Sequence, residues 1–387
     1  MVTRRLAGVL CVAAAACGAA SCAMVAGLDQ EFRPAGEGGG GSGGSGGATT
    51  TSSTSSAGGD GGGGSGGGPV CVLATVPDPP AIADDGGDVS FVAAMRAIEL
   101  DEKSFDVTLG LDVDGVCSCF EGAPQSCTPI AELVCDGEGG IDNAVGKIFA
   151  TVYDFSSGLV SSGQLSKAAN DGRWTNLIRV RGYNGAADDA KVEVMAYLTQ
   201  GVNAGMPTPV WNGTDAWPVD DTSLVSPPDL DSALAVADVG YVAGGVLVFR
   251  ITKEELRLRS NLFRMDLALS DVVVRAKLEA APGGYKLLEG VISGQWPLTD
   301  VFSGIASIRY TGDSKLCTDD TDYLTVKEAI CGNADLRRAG GEGSCDTLSF
   351  GATFVAEPAQ LGAVVPADGP PADACPVETD PGTDTCQ

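Results

Sequence analysis

Leu111-Asp112-Val113-Asp114-Gly115 is the stretch of this chain with the clearest chemical content. Calcium loops of the EF-hand type place oxygen ligands at the first, third, fifth and twelfth positions and a glycine at the sixth. With Gly115 as the sixth residue, Asp112 is third, Asp114 fifth and Glu121 twelfth. Gly110 then falls at the first position without a side-chain ligand, and Cys117 and Cys119 sit inside the loop. The competing reading is a hairpin with Asp114-Gly115 at its tip. Calcium is the cofactor this motif admits, and no other is expected. Asp319-Asp320-Thr321-Asp322 and Asp84-Asp85 are further acidic groups on predicted loops, where carboxylates serve solvent as well as hard cations.

Two other constellations carry possible chemistry. Trp211 and Trp217 flank Asn212-Gly213-Thr214-Asp215 in a predicted loop, where exposed rings would stack on sugars. Aromatic rings equally fill cores, as Trp174, Tyr183 and Tyr197 in the same stretch would. Glu254, Glu255, Asp266, Asp271 and Glu289 offer carboxylates for glycoside hydrolysis, which needs two of them about 5–10 Å apart across a cleft. The chain has no histidine. That removes Ser-His-Asp and Cys-His catalysis, His-ligated zinc and the two-His-one-carboxylate iron site. The expected role is therefore non-catalytic: structural, adhesive or binding. A carbohydrate-binding module, calcium-assisted, and a carboxylate-based hydrolase are the alternatives.

The elements that must position these residues read mostly as strands. Ile178 and Val180; Val192, Val194, Ala196 and Leu198; and Phe263, Met265, Leu267 and Leu269 alternate with polar neighbours at period two. Phe105, Val107, Leu109 and Leu111 do the same. Further strands are expected over 246–251, 256–258, 272–280 and 285–295, with Gly244-Gly245 and Gly283-Gly284 as turns. Ile141, Ala144, Val145, Ile148, Phe149 and Val152 recur at helical spacing behind Asp142, a predicted N-cap. Shorter helices are expected over 162–169, from Pro297, and over 320–331. The prediction is an antiparallel β-sandwich, jelly-roll-like, over 70–357, with peripheral helices and an irregular Cys-containing tail over 358–387.

The N-terminal part points to export. Met1-Val2-Thr3-Arg4-Arg5 precedes a small apolar run to Ala20, then Ser21-Cys22. This reads as a signal peptide over 1–21 with Cys22 as the lipid-bearing residue, and Cys17 as a second candidate. An ordinary cleaved signal would give a secreted product instead. The segment 22–34 leads into a Gly/Ser/Thr tether over 35–69, which as a coil spans roughly 33 Å and reaches about 120 Å when stretched. Cys71, Cys117, Cys119, Cys127, Cys135, Cys317, Cys331, Cys345, Cys375 and Cys386 remain, an even set that fits disulfides in an oxidising compartment. Local pairing is expected: the four between Cys117 and Cys135 among themselves, and Cys375 with Cys386. The net charge of -27 argues against nucleic acid or an anionic lipid surface as partner. The expected attachment is to the membrane through lipid at Cys22, at the outer membrane, with a polysaccharide or protein of the envelope as partner.

Several short motifs resemble surface lipoproteins abundant in myxobacteria. They are Ser21-Cys22 leading to Val25-Ala26-Gly27-Leu28-Asp29, the 111–119 stretch with Cys117-Ser118-Cys119, and Cys135-Asp136-Gly137 with Gly140-Ile141-Asp142-Asn143-Ala144. Arg179-Val180-Arg181-Gly182-Tyr183-Asn184-Gly185 and Cys345-Asp346-Thr347-Leu348-Ser349 extend the likeness across most of 105–355. The resemblance implies a surface location and one domain, and carries no chemistry.

Overall fold

Alternation of apolar and polar residues produces ten strands among the described residues. In chain order the elements are β1 (Val89–Glu99), α1 (Ala144–Phe155), α2 (Ser162–Asn170), β2 (Thr175–Tyr183), β3 (Glu193–Thr199), β4 (Ala216–Asp220), β5 (Ala235–Val236), β6 (Val239–Ala243), β7 (Val246–Arg259), β8 (Arg264–Ala281), β9 (Gly284–Pro297), α3 (Leu298–Ser307), α4 (Thr321–Gly332) and β10 (Thr347–Val365). The structure, a computed structural model, describes residues 71–386 except 84–85, 121–122, 124, 132–133, 156–159, 203–207, 261–263, 309–314, 339–342 and 369–374. The predicted signal, Cys22, the tether, Asp84, Asp85, Glu121 and Phe263 lie outside the described residues.

The strands form one mainly antiparallel sheet in the order β5-β3-β2-β1-β10-β9-β8-β7-β6. Its two ends meet. Asp189 and Val242 exchange backbone hydrogen bonds, Val192 N–H donates to Gly240 O, and Ala237 N–H donates to Val194 O. β5 and β6 thus act as one bent strand between β3 and β7, and the sheet closes, leaving no long free edge there. Most strands of the ring pair with the strand next to them in the chain, and β1 pairs with β10, the first strand with the last. This meander replaces the Greek-key crossings that a jelly roll requires. β4 lies outside the ring, parallel to β10.

The two faces of the sheet bury different cores. Phe249, Val274, Ile292 and Ala352 stand opposite one another along β7-β8-β9-β10 and point into the main core. Ala93, Ile178 and Ala196 do so along β1-β2-β3. Val145, Ile148, Phe149 and Val152 of α1 join them at i, i+3, i+4 and i+7, the spacing of one helical face. On the reverse face, Ala94, Leu177 and Tyr197 pack with Trp217 and Val219 of β4 in a smaller core.

The structure corrects three expectations. Residues 105–111 alternate but form no strand, because their backbone is engaged elsewhere: Thr108 and Leu109 N–H donate to Asp101 Oδ2 (2.8 and 3.0 Å). β10 runs through Pro358 to Val365, so the irregular tail starts later than Pro358. The cysteine pairs are Cys71–Cys117, Cys119–Cys135, Cys127–Cys345, Cys317–Cys375 and Cys331–Cys386. Only Cys119–Cys135 is a local pair of the expected kind. Cys127 reaches Cys345 because Thr128 N–H donates to Gly343 O and Cys345 N–H to Thr128 O. Cys375 and Cys386 are not paired together, because the tail is laid along α4. There Asp384 accepts from Tyr323 Oη (2.7 Å) and Lys327 Nζ (2.8 Å).

Candidate metal centre

Asp112, Asp114 and Asp142 each bring a carboxylate oxygen to one place, all within 4.8 Å of one another. Two segments supply them. The first, around Asp112, is tied down from several directions. Asp112 N–H donates to Ala74 O (2.9 Å), and Ala74 N–H to Gly139 O (2.7 Å). Leu111 N–H donates to Ser293 Oγ on β9 (2.8 Å). Cys71–Cys117 and Cys119–Cys135 staple the same loop. Gly115, at φ +79°, makes a turn that a side chain would strain. Its N–H donates to Asp112 Oδ1 (2.7 Å), and Val116 N–H donates to Asp114 Oδ1 (2.8 Å).

The second segment leads into α1. Asn143, not the Asp142 that the spacing predicts, caps this helix: its Oδ1 accepts from Gly146 N–H (3.0 Å) and from Gly351 N–H on β10 (2.9 Å). Asp142 is left turned toward the loop. It is 1% exposed, and its Oδ2 accepts from Val113 N–H (2.7 Å).

Two more carboxylates crowd this place. Asp136 accepts from Ser118 N–H (2.5 Å), and Asp335 accepts from Ser349 N–H (2.8 Å) and Ser349 Oγ (2.5 Å). Burial, then the charges of Asp335, Asp114 and Asp136, pushes Asp142 up to about 10. Burial is also the main cause that raises Asp335 to about 7 and Asp136 to about 6. Asp112 is raised by burial as well, against the hydrogen bond from Gly115. Lys147 faces this group, and its ammonium donates to Cys135 O (2.8 Å). Burial lowers its pKa, while Asp335, Asp136 and Asp142 oppose that fall. Asp114 Oδ2 is buried with no hydrogen-bond partner among the described residues.

This arrangement offers a hard cation what it prefers, several oxygens on a stapled frame. Asp112, Asp114 and Asp142 are the residues that would hold it. A calcium ion would supply the positive charge that protons otherwise bring to the cluster. Glu121, the predicted twelfth ligand, lies outside the described residues. Asp142, Asp136 and Asp335 are absent from the loop motif. The available signal was Cys135-Asp136-Gly137 and Asp142-Asn143, read only as motif and cap.

The other candidates separate. Cys317, Asp319 and Asp320 also converge, but the Cys317 sulfur is bonded to Cys375, and Asp320 Oδ2 accepts from Cys317 N–H (2.9 Å) in the turn before α4. Trp217 is fully buried on β4 and cannot stack on a sugar, because its ring fills the smaller core. Trp211 is half-buried against it, 5.4 Å between ring centroids, and Arg96 lies over the Trp211 ring at 5.4 Å. Asp266 is spent on Arg259 (2.7 Å) and Arg257 (3.4 Å), and Glu289 is exposed near Lys277. Asp271 sits at a positive-φ bulge position of β8. Of the five hydrolase carboxylates, Glu254 and Glu255 line a cleft.

No family model matches this chain, and no curated protein or solved structure matches it.

Proposed function

We propose that this is an exported protein of the cell envelope, anchored through lipid at Cys22, whose β-domain serves as a non-catalytic binding or structural module built around a calcium ion. The observation that carries the metal part is the convergence of Asp112, Asp114 and Asp142 within 4.8 Å, beside two further carboxylates and one lysine. The five disulfides support an oxidising compartment. The absence of histidine supports a role without acid–base chemistry of the common kind. The partner in this reading is a polysaccharide or protein of the envelope, and the net charge of -27 argues against nucleic acid.

Thermal melting of the disulfide-bonded protein in calcium and in chelator tests the metal. A cation that binds only the folded state stabilises it by about 2.7 kcal/mol at a hundredfold excess over Kd. Identical melts in calcium, magnesium and chelator would remove the metal centre. Membrane fractionation tests the anchor separately: Cys22→Ser should move the protein to the soluble fraction, and its retention with membranes would overturn that assignment.

A further inference from the structure

A second feature lies away from the acidic centre. A cleft of about 530 Å³ opens between β3 and β5 on one side and the β7–β8 pair on the other. Leu198, Leu234, Ala235 and Leu269 form its apolar walls. Glu254 of β7 enters it, and its Oε2 is buried with no hydrogen-bond partner among the described residues. The volume and the apolar lining with a few polar groups are those of a small-molecule site. An uncompensated carboxylate at such a place is costly unless something completes it.

We infer that this cleft binds a small organic cation, an alkylammonium whose apolar body lies on the leucine walls and whose charged nitrogen meets the Glu254 carboxylate. The charged groups around the cleft leave that role open. Lys253 and Glu255 of β7 are exposed, as is Arg338 in the segment before β10. Asp300, in the first turn of α3, adds a further carboxylate. No cation lowers the Glu254 pKa. Burial, then the charge of Glu255, raises it to about 8. A metal ion is the poorer occupant, since hard cations take several oxygens at once and the carboxylate clusters that could hold one among the described residues do not include Glu254.

An ammonium needs the ionised carboxylate, so at pH 7 its binding must expel the proton from Glu254. The test is calorimetry on the disulfide-bonded protein with n-hexylammonium, choline and the uncharged 1-hexanol. Hexylammonium or choline should bind at pH 8.5 and weaken about tenfold per pH unit below pH 8. At pH 7, measurements in two buffers of different ionisation enthalpy should show close to one proton released per bound cation. Glu254→Gln should abolish this binding, and 1-hexanol should not compete. Binding of hexanol as tight as that of hexylammonium would overturn the inference. So would affinity that falls above pH 8, which marks a protonated Glu254 donating to a neutral acceptor. Absence of proton release in the unmodified protein, or of binding by either cation, overturns it as well. None of these readouts depends on calcium.

Discussion

At the end of β7, Arg257 meets Asp220, Asp266 at 3.4 Å and Glu255 at 3.6 Å, while Arg259 shares Asp266 at 2.7 Å. At the entry to α1, Asp136, Asp142 and Asp335 face Lys147, and Asp112 and Asp114 converge on Asp142. Both regions bury charge in the same β-frame. In the first, each of the three carboxylates reaches one of the two guanidiniums, and Asn176 closes the set by bonding to the Arg257 backbone at both its N–H (3.3 Å) and its O (3.1 Å). In the second, carboxylates outnumber the cation, and burial drives Asp112, Asp136, Asp142 and Asp335 toward their protonated forms. A cluster in which every carboxylate reaches a guanidinium carries its own counter-charge. An anionic excess held on disulfides is a site waiting for a cation, and that difference separates framework from candidate function.

The largest effect should come from breaking the matched region. Arg257 is 5% exposed and Asp220 is 0% exposed. Arg257→Met leaves Asp220 buried beside an uncharged side chain, and urea unfolding should report a loss of about 3–5 kcal/mol. Combining it with Asp220→Leu should restore most of that loss, because both charges then leave together. If the double variant is as unstable as the single one, packing rather than charge governs the cluster.

Next in size is the staple of the unmatched region. Replacing Cys119 and Cys135 by alanine opens a loop with a sequence separation of 16. By the chain-entropy account this costs about 3 kcal/mol, read as a lower urea midpoint. The same change should also shrink the calcium-induced rise in melting temperature, since Ser118 N–H and Asp136 are held by that bridge. A full calcium response in this variant would show that the loop is organised without its disulfide.

Asp142→Asn should be quieter, and more selective. Because Asp142 is pushed up to about 10, it is already protonated at neutral pH in the cation-free protein. Asparagine keeps the shape and can still accept from Val113 N–H. Stability in chelator should change by no more than about 1 kcal/mol. Calcium affinity should fall at least tenfold, because the ionised ligand is gone. Equal loss with and without calcium would make Asp142 a structural residue.

How far these features were legible in the sequence depends on the range of the interaction. Period-two alternation found the cores of β2, β3 and the first part of β8, because side chains on one face of a strand need only their own strand to reveal themselves. β8 read as two fragments because irregular pairing between Ser270 and Val273, with Asp271 at φ +51°, breaks the alternation inside a continuous strand. Pro358 read as a terminus, yet it pairs opposite Ala93 within β10, where the surrounding ladder continues past it. At the centre, Asp112 and Asp114 were visible as a local motif. Asp142 was hidden by its own helix, whose apolar spacing made a capping role the nearest explanation. Asp335 had no local signal: Ser349 of β10 fixes it, and only the fold brings that strand to α1.

The most graded way to sharpen the contrast is pH. A carboxyl whose pKa is higher in the folded state than in the unfolded chain binds its proton more tightly when folded. Its stabilising contribution is complete below the unfolded value, near 3.8, and is lost as pH rises through the folded value. For Asp136 and Asp335 that loss spans the range from about 4 to about 6 and about 7; for Asp142 it continues toward about 10. In chelator the domain should therefore lose stability steadily between pH 4 and pH 8, by about 1.4 kcal/mol per pH unit for each proton of difference between the states. Glu254, raised to about 8, adds a slope of the same sign, which Glu254→Gln removes and calcium does not. Saturating calcium should flatten the part due to the acidic centre, since a bound cation offsets the ionised carboxylates. Asp142→Asn should remove one proton from the slope and leave the rest. The Arg257 cluster gives the control: Arg257→Met shifts the whole curve down and leaves the calcium-dependent flattening in place. A cation-free curve that instead rises from pH 4 to pH 8 would mean the carboxylates at α1 are stabilised as anions, and would erase the distinction between the two regions.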